Sequence, residues 1–133
     1  MSNILLGVGG GIAAYKVAAL SSSLVQAGHS VRVAMTRGAC EFVGPRTFEG
    51  LTSNPAILSS TQVDADGNAP HIVATTAADI LVIAPATAGL LARLAAGWAL
   101  IQRWRQQNPS IDEINEHAFV PEFGPVLVPT LVK

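Results

Sequence analysis

Apolar positions along the chain change their spacing in a regular way. Residues 4–8 form a short unbroken apolar run that stops at Gly9-Gly10-Gly11, and from about residue 12 to residue 27 the spacing is helical, with Val17, Leu20 and Leu24 at i, i+3 and i+7. Gly28 stands where a left-handed helix cap is expected, and residues 31–35 are a second, β-branched run ending at Thr36. Strand, glycine turn, helix and strand make a βαβ unit, so the two strands are predicted to run parallel. Short helical pieces follow over 39–42 and 45–51, with Pro45 tolerated in a first turn. Asn54-Pro55, Ser59-Ser60-Thr61 and Asp66-Gly67-Asn68 mark 53–69 as a loop with one short strand at 56–58.

The second half repeats the alternation. A short helix is predicted over 70–77, and 80–84 is a fully apolar strand of the kind a parallel sheet buries on both faces. Residues 86–107 are Ala/Leu-rich and helical despite Gly89 and Gly97, closing before Pro109. Ser110 with Glu113 forms a capping box that predicts a further helix to about His117, and 125–128 is another β-branched strand. Strands alternating with helices predict an α/β fold with a doubly wound parallel sheet, in one domain.

Ligands of such sheets bind beyond the carboxyl ends of the strands, which directs attention to the loops after Val8, Met35 and Ala84. Gly9 to Gly11 opens a helix, where bare backbone N–H groups favour an anion such as phosphate. Thr36 adds a hydroxyl to the same place, and Pro85-Ala86-Thr87-Ala88-Gly89 is a loop of small residues suited to a flat ring lying against backbone. Taken alone, the glycine run also reads as nothing more than a tight strand-to-helix turn. The G-x-G-x-x-G dinucleotide pattern is not met and no acidic residue closes the second strand, so one phosphate fits better than two.

Composition narrows the partners. Of 133 residues 50% are hydrophobic and 13% charged, with 8 Lys+Arg against 9 Asp+Glu. A near-neutral chain has no basic field for a phosphate backbone, which argues against nucleic acid. Arg93 interrupts the longest apolar run, 84–101, short of the roughly 20 residues of a membrane helix, and the amino terminus lacks a basic leader. The single Cys40 fits a reducing, cytoplasmic compartment and no metal cluster. Its environment near the exit of the second strand predicts an inert, partly buried thiol. Trp98 and Trp104 read equally as core residues or interface anchors.

The stretch Leu5-Leu6-Gly7-Val8-Gly9-Gly10-Gly11-Ile12-Ala13-Ala14-Tyr15-Lys16, then Ala27-Gly28-His29-Ser30-Val31-Arg32-Val33 and Met35-Thr36-Arg37, resembles the homo-oligomeric flavin-containing cysteine decarboxylases, particularly the decarboxylase domains acting on phosphopantothenoylcysteine in coenzyme A biosynthesis. Phe42-Val43, Thr47-Phe48-Glu49-Gly50-Leu51, His71-Ile72, Ala78-Asp79, Ala84-Pro85-Ala86-Thr87-Ala88 and Arg93-Leu94-Ala95-Ala96-Gly97 continue the likeness in order, over about residues 3–97. The resemblance implies a flavodoxin-like, Rossmann-like three-layer sandwich that binds FMN. It places Gly10, Gly11 and Ile12 at the phosphate, Thr36 and Arg37 at a second contact, and Thr87, Ala88, Gly89 and Leu90 along the flavin.

The same likeness makes His71 the active-site histidine, with base or proton-transfer duty on a small molecule ending in cysteine. By its residue pattern alone, His71 is also a plausible surface histidine; near a helix start the dipole disfavours a cation, which suits a neutral proton acceptor. Family members assemble as trimers, a candidate cause of the sparse charge. Two departures stand in the flavin loops: Gly9 where the family commonly has Ser or Thr, and Gly89 where Asn or Asp is usual. After Gly97 the register is lost. It returns at 125–132, placing Val132 at the family's substrate-binding asparagine, and the chain stops at Lys133 before the family's cysteine-bearing flap. The expectation is a single FMN-binding domain with incomplete decarboxylase machinery. The alternatives are a non-catalytic flavin carrier or interaction subunit and, further off, a phosphate-binding domain without flavin.

Overall fold

A computed structural model describes residues 1–59, 61–107, 117–120 and 124–127, with side chains described as far as Gly97. The elements run β1 (Asn3–Val8), α1 (Ala14–Gln26), β2 (Ser30–Met35), α2 (Arg37–Cys40), α3 (Pro45–Thr52), α4 (Pro70–Ala77), β3 (Ile80–Ile83), α5 (Ala88–Gln107), β4 (His117–Val120) and β5 (Gly124–Leu127). β1 lies between β2 and β3 and pairs with both in parallel. Ile57 extends the sheet beyond β2 through a parallel bridge to Ala34, with Ile57 N–H donating to Val33 O and Met35 N–H to Ile57 O at 2.9 Å each.

The period of two along each strand divides the core between the faces of the sheet. Leu6, Val8, Val31, Val33, Met35, Val82 and Ala84 turn to the layer that holds Ala14 and Val17 of α1 and Phe48 of α3. Leu5, Ala34 and Leu81 turn the other way, toward Ala74 of α4, and Leu81 with Ile83 packs on Leu90 of α5. This is the three-layer α/β/α sandwich expected from the alternating pattern. Gly28 closes α1 at φ +88°, with Gly28 N–H donating to Val25 O and His29 N–H to Leu24 O. That is a Schellman cap, and it delivers the chain directly into β2.

Several expectations are corrected. α1 starts at Ala14, because Gly11–Ala13 turn first with Ala14 N–H on Gly11 O at 2.9 Å; Ile12 is therefore outside the helix and 78% exposed. The buried stripe of α1 is Ala14, Val17 and Ser21, and Leu20 falls at its solvent edge. α2 begins two residues earlier than its pattern suggested, since Thr36 caps it. β3 is not buried on both faces: Ile80 is exposed and Leu81 to Ile83 are half-buried, because β3 pairs on one side only, with β1, among the described residues.

α5 starts at Ala88, after the cis Ala84–Pro85 peptide. The expected strand at 125–128 is seen as β5, but it pairs antiparallel with β4 in a separate two-stranded sheet. His117, expected at the end of a helix, opens β4; the remainder of that predicted helix, 110–116, lies outside the described residues. So do Val132 and the side chains of Trp98 and Trp104.

Candidate functional site

Three loops meet at the carboxyl edge of the sheet. β1 ends in Gly9–Ile12, β2 in Thr36–Gly38, and β3 in the Ala84–Pro85 cis peptide that leads to Thr87 and α5. Their closeness is readable from the glycines. A Cβ on Gly9 would collide with the carbonyl oxygen of Pro85 and stand 3.3 Å from Leu90 Cδ2. A Cβ on Gly10 would lie 2.8 Å from the carbonyl carbon of Gly38, too short for any real side chain. At Gly11 it would meet Pro85 Cγ and Thr87 Cγ2 at 3.6 Å, ordinary van der Waals distance. The missing side chains at Gly9 and Gly10 are what let the first loop touch both others.

This packing leaves donors without partners. Among the described residues the backbone N–H groups of Gly10, Gly11, Ile12, Ala88 and Gly89 donate to no protein acceptor. Thr36 is 3% exposed; its N–H donates to Val8 O at 3.1 Å, and its Oγ1 accepts the Ala39 N–H at 3.1 Å. Because Oγ1 serves there as acceptor, its own proton is available to an anion. Arg37 is exposed beside it, with no ion-pair partner among the described residues. Thr87 caps α5, accepting Leu90 N–H on Oγ1 at 3.3 Å and Leu91 N–H on its carbonyl at 2.9 Å. The Leu90 side chain is fully buried with Leu81, Ile83 and Leu94, so it does not itself face outward. Ala88 and Gly89 are exposed.

His71 enters from another element. It is the second residue of α4, after Pro70, and 7% exposed. α4 passes through Ala78 into Asp79, which is pinned to the start of β1 by its N–H on Asn3 O at 2.8 Å and by Oδ2 accepting Asn3 N–H at 2.7 Å. Ala74 and Ala78 accordingly stand beside Asn3, Ile4, Ser30 and Arg32, around a shallow, half-open depression at the amino ends of the strands. The start of α4, with His71, therefore points toward the carboxyl edge. Its Nδ1 is buried and has no hydrogen-bond partner among the described residues. That depression lies at the opposite end of the sheet from the unpaired donors, and we place the site with the donors.

Cys40 is half-buried against the core, and burial, reinforced by the neighbouring Glu41 carboxylate, pushes its thiol above the ordinary value of 9.0. A protonated thiol is a poor nucleophile. Two backbone contacts complete the site: Gly38, which sequence reasoning missed, backs Gly10, and the carbonyl of Pro85, already placed in the third loop, covers Gly9. Gly38 has no side-chain chemistry to flag it, and its place two residues after a capping threonine is its sole signal in the sequence. No group of three or more His, Cys, Asp or Glu able to hold a metal ion is present among the described residues, and no described helix is long and apolar enough to cross a membrane.

The sheet and its unpaired backbone donors define an α/β protein with an anion-binding cradle at the carboxyl edge. Glycine packing, a hydroxyl and the Arg37 guanidinium, unpaired among the described residues, all fit a phosphate-bearing cofactor. The Flavoprotein family matches residues 1–100, and the chain belongs to that family. It is 45% identical over 97 residues to the coenzyme A biosynthesis bifunctional protein CoaBC of Bacillus subtilis, covering 73% of this chain and 24% of that protein. With the CoaBC of Mycolicibacterium smegmatis it is 50% identical over 97 residues, covering 72% and 23%.

Among solved structures, the FMN-dependent cysteine decarboxylase SpaF matches with a TM-score of 0.64 and 32% identity, over 73% of this chain and 56% of that one. A PPC decarboxylase mutant complexed with pantothenoylaminoethenethiol matches with a TM-score of 0.55 and 26% identity, over 71% and 52%. The chain thus spans about a quarter of the length of these curated relatives and just over half of these structures. FMN is the cofactor to which the family and the fold correspond.

Proposed function

We propose that this chain binds FMN at the carboxyl edge of its parallel sheet and serves the oxidative decarboxylation of a small molecule ending in cysteine, of the phosphopantothenoylcysteine type used in coenzyme A biosynthesis. The observation that carries this reading is the set of unpaired backbone N–H groups at Gly10, Gly11, Ile12, Ala88 and Gly89, brought together by glycine contacts. In this reading Gly10, Gly11 and Ile12 hold the phosphate, Thr36 donates its hydroxyl proton to it and Arg37 supplies charge. The backbone of Thr87, Ala88, Gly89 and Leu90 lies along the ring system, and the contacts survive Gly89 because they need no side chain. FMN, when bound, supplies a two-electron acceptor for the thiol end of the substrate. His71 moves the proton that accompanies that oxidation. Loss of carbon dioxide follows on the substrate itself, where the adjacent C=S group accepts the electron pair of the breaking C–C bond.

Residues 1–97 carry the flavin-binding part of this function, in a cytoplasmic protein that assembles as a trimer or a multiple of it. The near-neutral charge of −1 supports a small-molecule partner over nucleic acid. A second reading is favoured by two particular residues. Val132 stands where the resemblance expects a substrate-binding asparagine, and Cys40 has its thiol pushed upward, so neither offers the chemistry of a complete decarboxylase. On that reading the protein is a flavin carrier or an interaction subunit. Incubating FMN-loaded protein with phosphopantothenoylcysteine separates the two: flavin bleaching with release of carbon dioxide supports the decarboxylase, and bound flavin that stays oxidised supports the carrier. Replacing His71 with Asn is expected to leave FMN bound and to abolish bleaching; loss of flavin would assign His71 a structural role instead.

A further inference from the structure

His71 has two ring nitrogens in unlike surroundings. Nδ1 is buried and, among the described residues, meets no acceptor or donor. Nε2 makes no hydrogen bond among the described residues either, yet is not among the fully buried unpaired atoms, so the 7% of His71 that remains accessible includes it. Among the described residues, the side-chain hydrogen bonds around this residue run from Thr75 Oγ1 to the main-chain carbonyls of His71 and Ile72, at 2.8 and 3.0 Å, and leave the ring untouched. A neutral imidazole carries one N–H and one lone pair. Placing the proton on Nδ1 would bury a donor with nothing to receive it, the rarer and costlier form of unpaired group. Placing it on Nε2 buries a lone pair and turns the N–H toward the accessible side.

We infer that His71 holds its proton on Nε2 in the resting protein and meets its ligand as a hydrogen-bond donor. The ligand group it takes is an acceptor oxygen or sulfur at the carboxyl edge of the sheet. Two sources carry that chemistry, a carbonyl oxygen of the flavin and the carboxylate or thiolate of the terminal cysteine. The inference rests on the flavin reading only for the identity of that ligand; the position of the proton belongs to the chain alone.

The test is nitrogen NMR of protein labelled in its histidines, recorded without ligand, with FMN, and with FMN plus a terminal-cysteine peptide, at a pH where the ring is neutral. Two-bond couplings from the ring protons distinguish the nitrogens. A protonated-type shift at Nε2 with an unprotonated, pyridine-like Nδ1 is expected in the ligand-free protein; the reverse pattern overturns the inference. A change at Nε2 on adding FMN assigns the acceptor to the flavin, and a change that waits for the peptide assigns it to the substrate. Bound flavin and peptide that leave Nε2 unmoved overturn the donor role. Failure to take up FMN at all is read separately from flavin absorbance and contradicts the cofactor reading while leaving the ligand-free tautomer as measured. As a second readout, His71→Gln, whose amide reaches the Nε2 position, should retain peptide affinity better than His71→Asn by roughly fivefold, about the worth of one hydrogen bond. Equal losses would contradict the assignment.

Discussion

At Gly10 the difference between a hydrogen and a methyl group decides whether two loops touch. The 2.8 Å approach to the Gly38 carbonyl carbon leaves nothing flexible to yield, since both partners are backbone. Gly10→Ala is therefore expected to cost about 1–3 kcal/mol in stability, the usual penalty of overpacking, and to weaken FMN binding at least tenfold. Gly11→Ala meets only side-chain carbons at 3.6 Å and is expected to cost under about 1 kcal/mol. Thermal unfolding with flavin titration of the two variants checks the contrast, and equal effects would contradict the loop geometry. Thr36 combines a cap with a proposed ligand contact, so Thr36→Val should lose about 1 kcal/mol of stability together with flavin affinity, while Thr36→Ser keeps most of both. Thiol alkylation of Cys40 is expected to begin at higher pH than that of a free cysteine, because burial and Glu41 both raise its pKa; a low-pH onset would remove the inert-thiol reading. Thr36 and the glycines were legible in the sequence because their residue types carry their roles. Gly38 and the Pro85 carbonyl were not, since contacts between loops distant in sequence leave no local spacing to read.

The helices and strands were legible wherever one face is buried. β1, β2 and α3 follow their patterns because period-two or capped runs meet a core there, as with Phe48, fully buried on α3. Phe48→Ala is expected to cost about 3–5 kcal/mol, and a shift in the thermal midpoint near zero would contradict its placement at the centre of the α1 and α3 layer. Patterns failed where pairing decides the outcome. An apolar run such as Ile80–Ile83 reads as doubly buried, yet whether a second neighbour lies beside it depends on strands far along the chain. Likewise the β-branched residues around Val126 predicted a strand but not its partner, and β5 joins β4 in an antiparallel pair. Helix starts were misplaced where loop geometry intervenes, at the Gly11–Ala13 turn before α1 and at the Thr36 cap of α2. Gly28 marks a helix end that was read correctly: at φ +88° an alanine is strained by about 1–2 kcal/mol, so Gly28→Ala should lower stability by that amount without touching flavin binding.

Across the whole molecule, low charge and exposed apolar side chains occur together. Ile12, Tyr15, Phe42, Ile72, Ile80 and Leu91 are each about half exposed or more, on a chain with only 13% charged residues. Self-association would cover such surface, and light scattering of the purified protein is expected to give a trimer or a multiple of it; a monomer at micromolar concentration would contradict that proposal. Family membership and the sandwich fold agree with the sequence reading over the first hundred residues, where the strands and the glycine loops supply independent signals. The central claim is that the loops after β1, β2 and β3 form one FMN site. Titrating the purified protein with FMN and following flavin absorbance and fluorescence after removal of free ligand tests it most directly. One tightly held FMN per chain, with binding lost in Gly10→Ala, is the predicted result; a protein that stays colourless with excess FMN would contradict it.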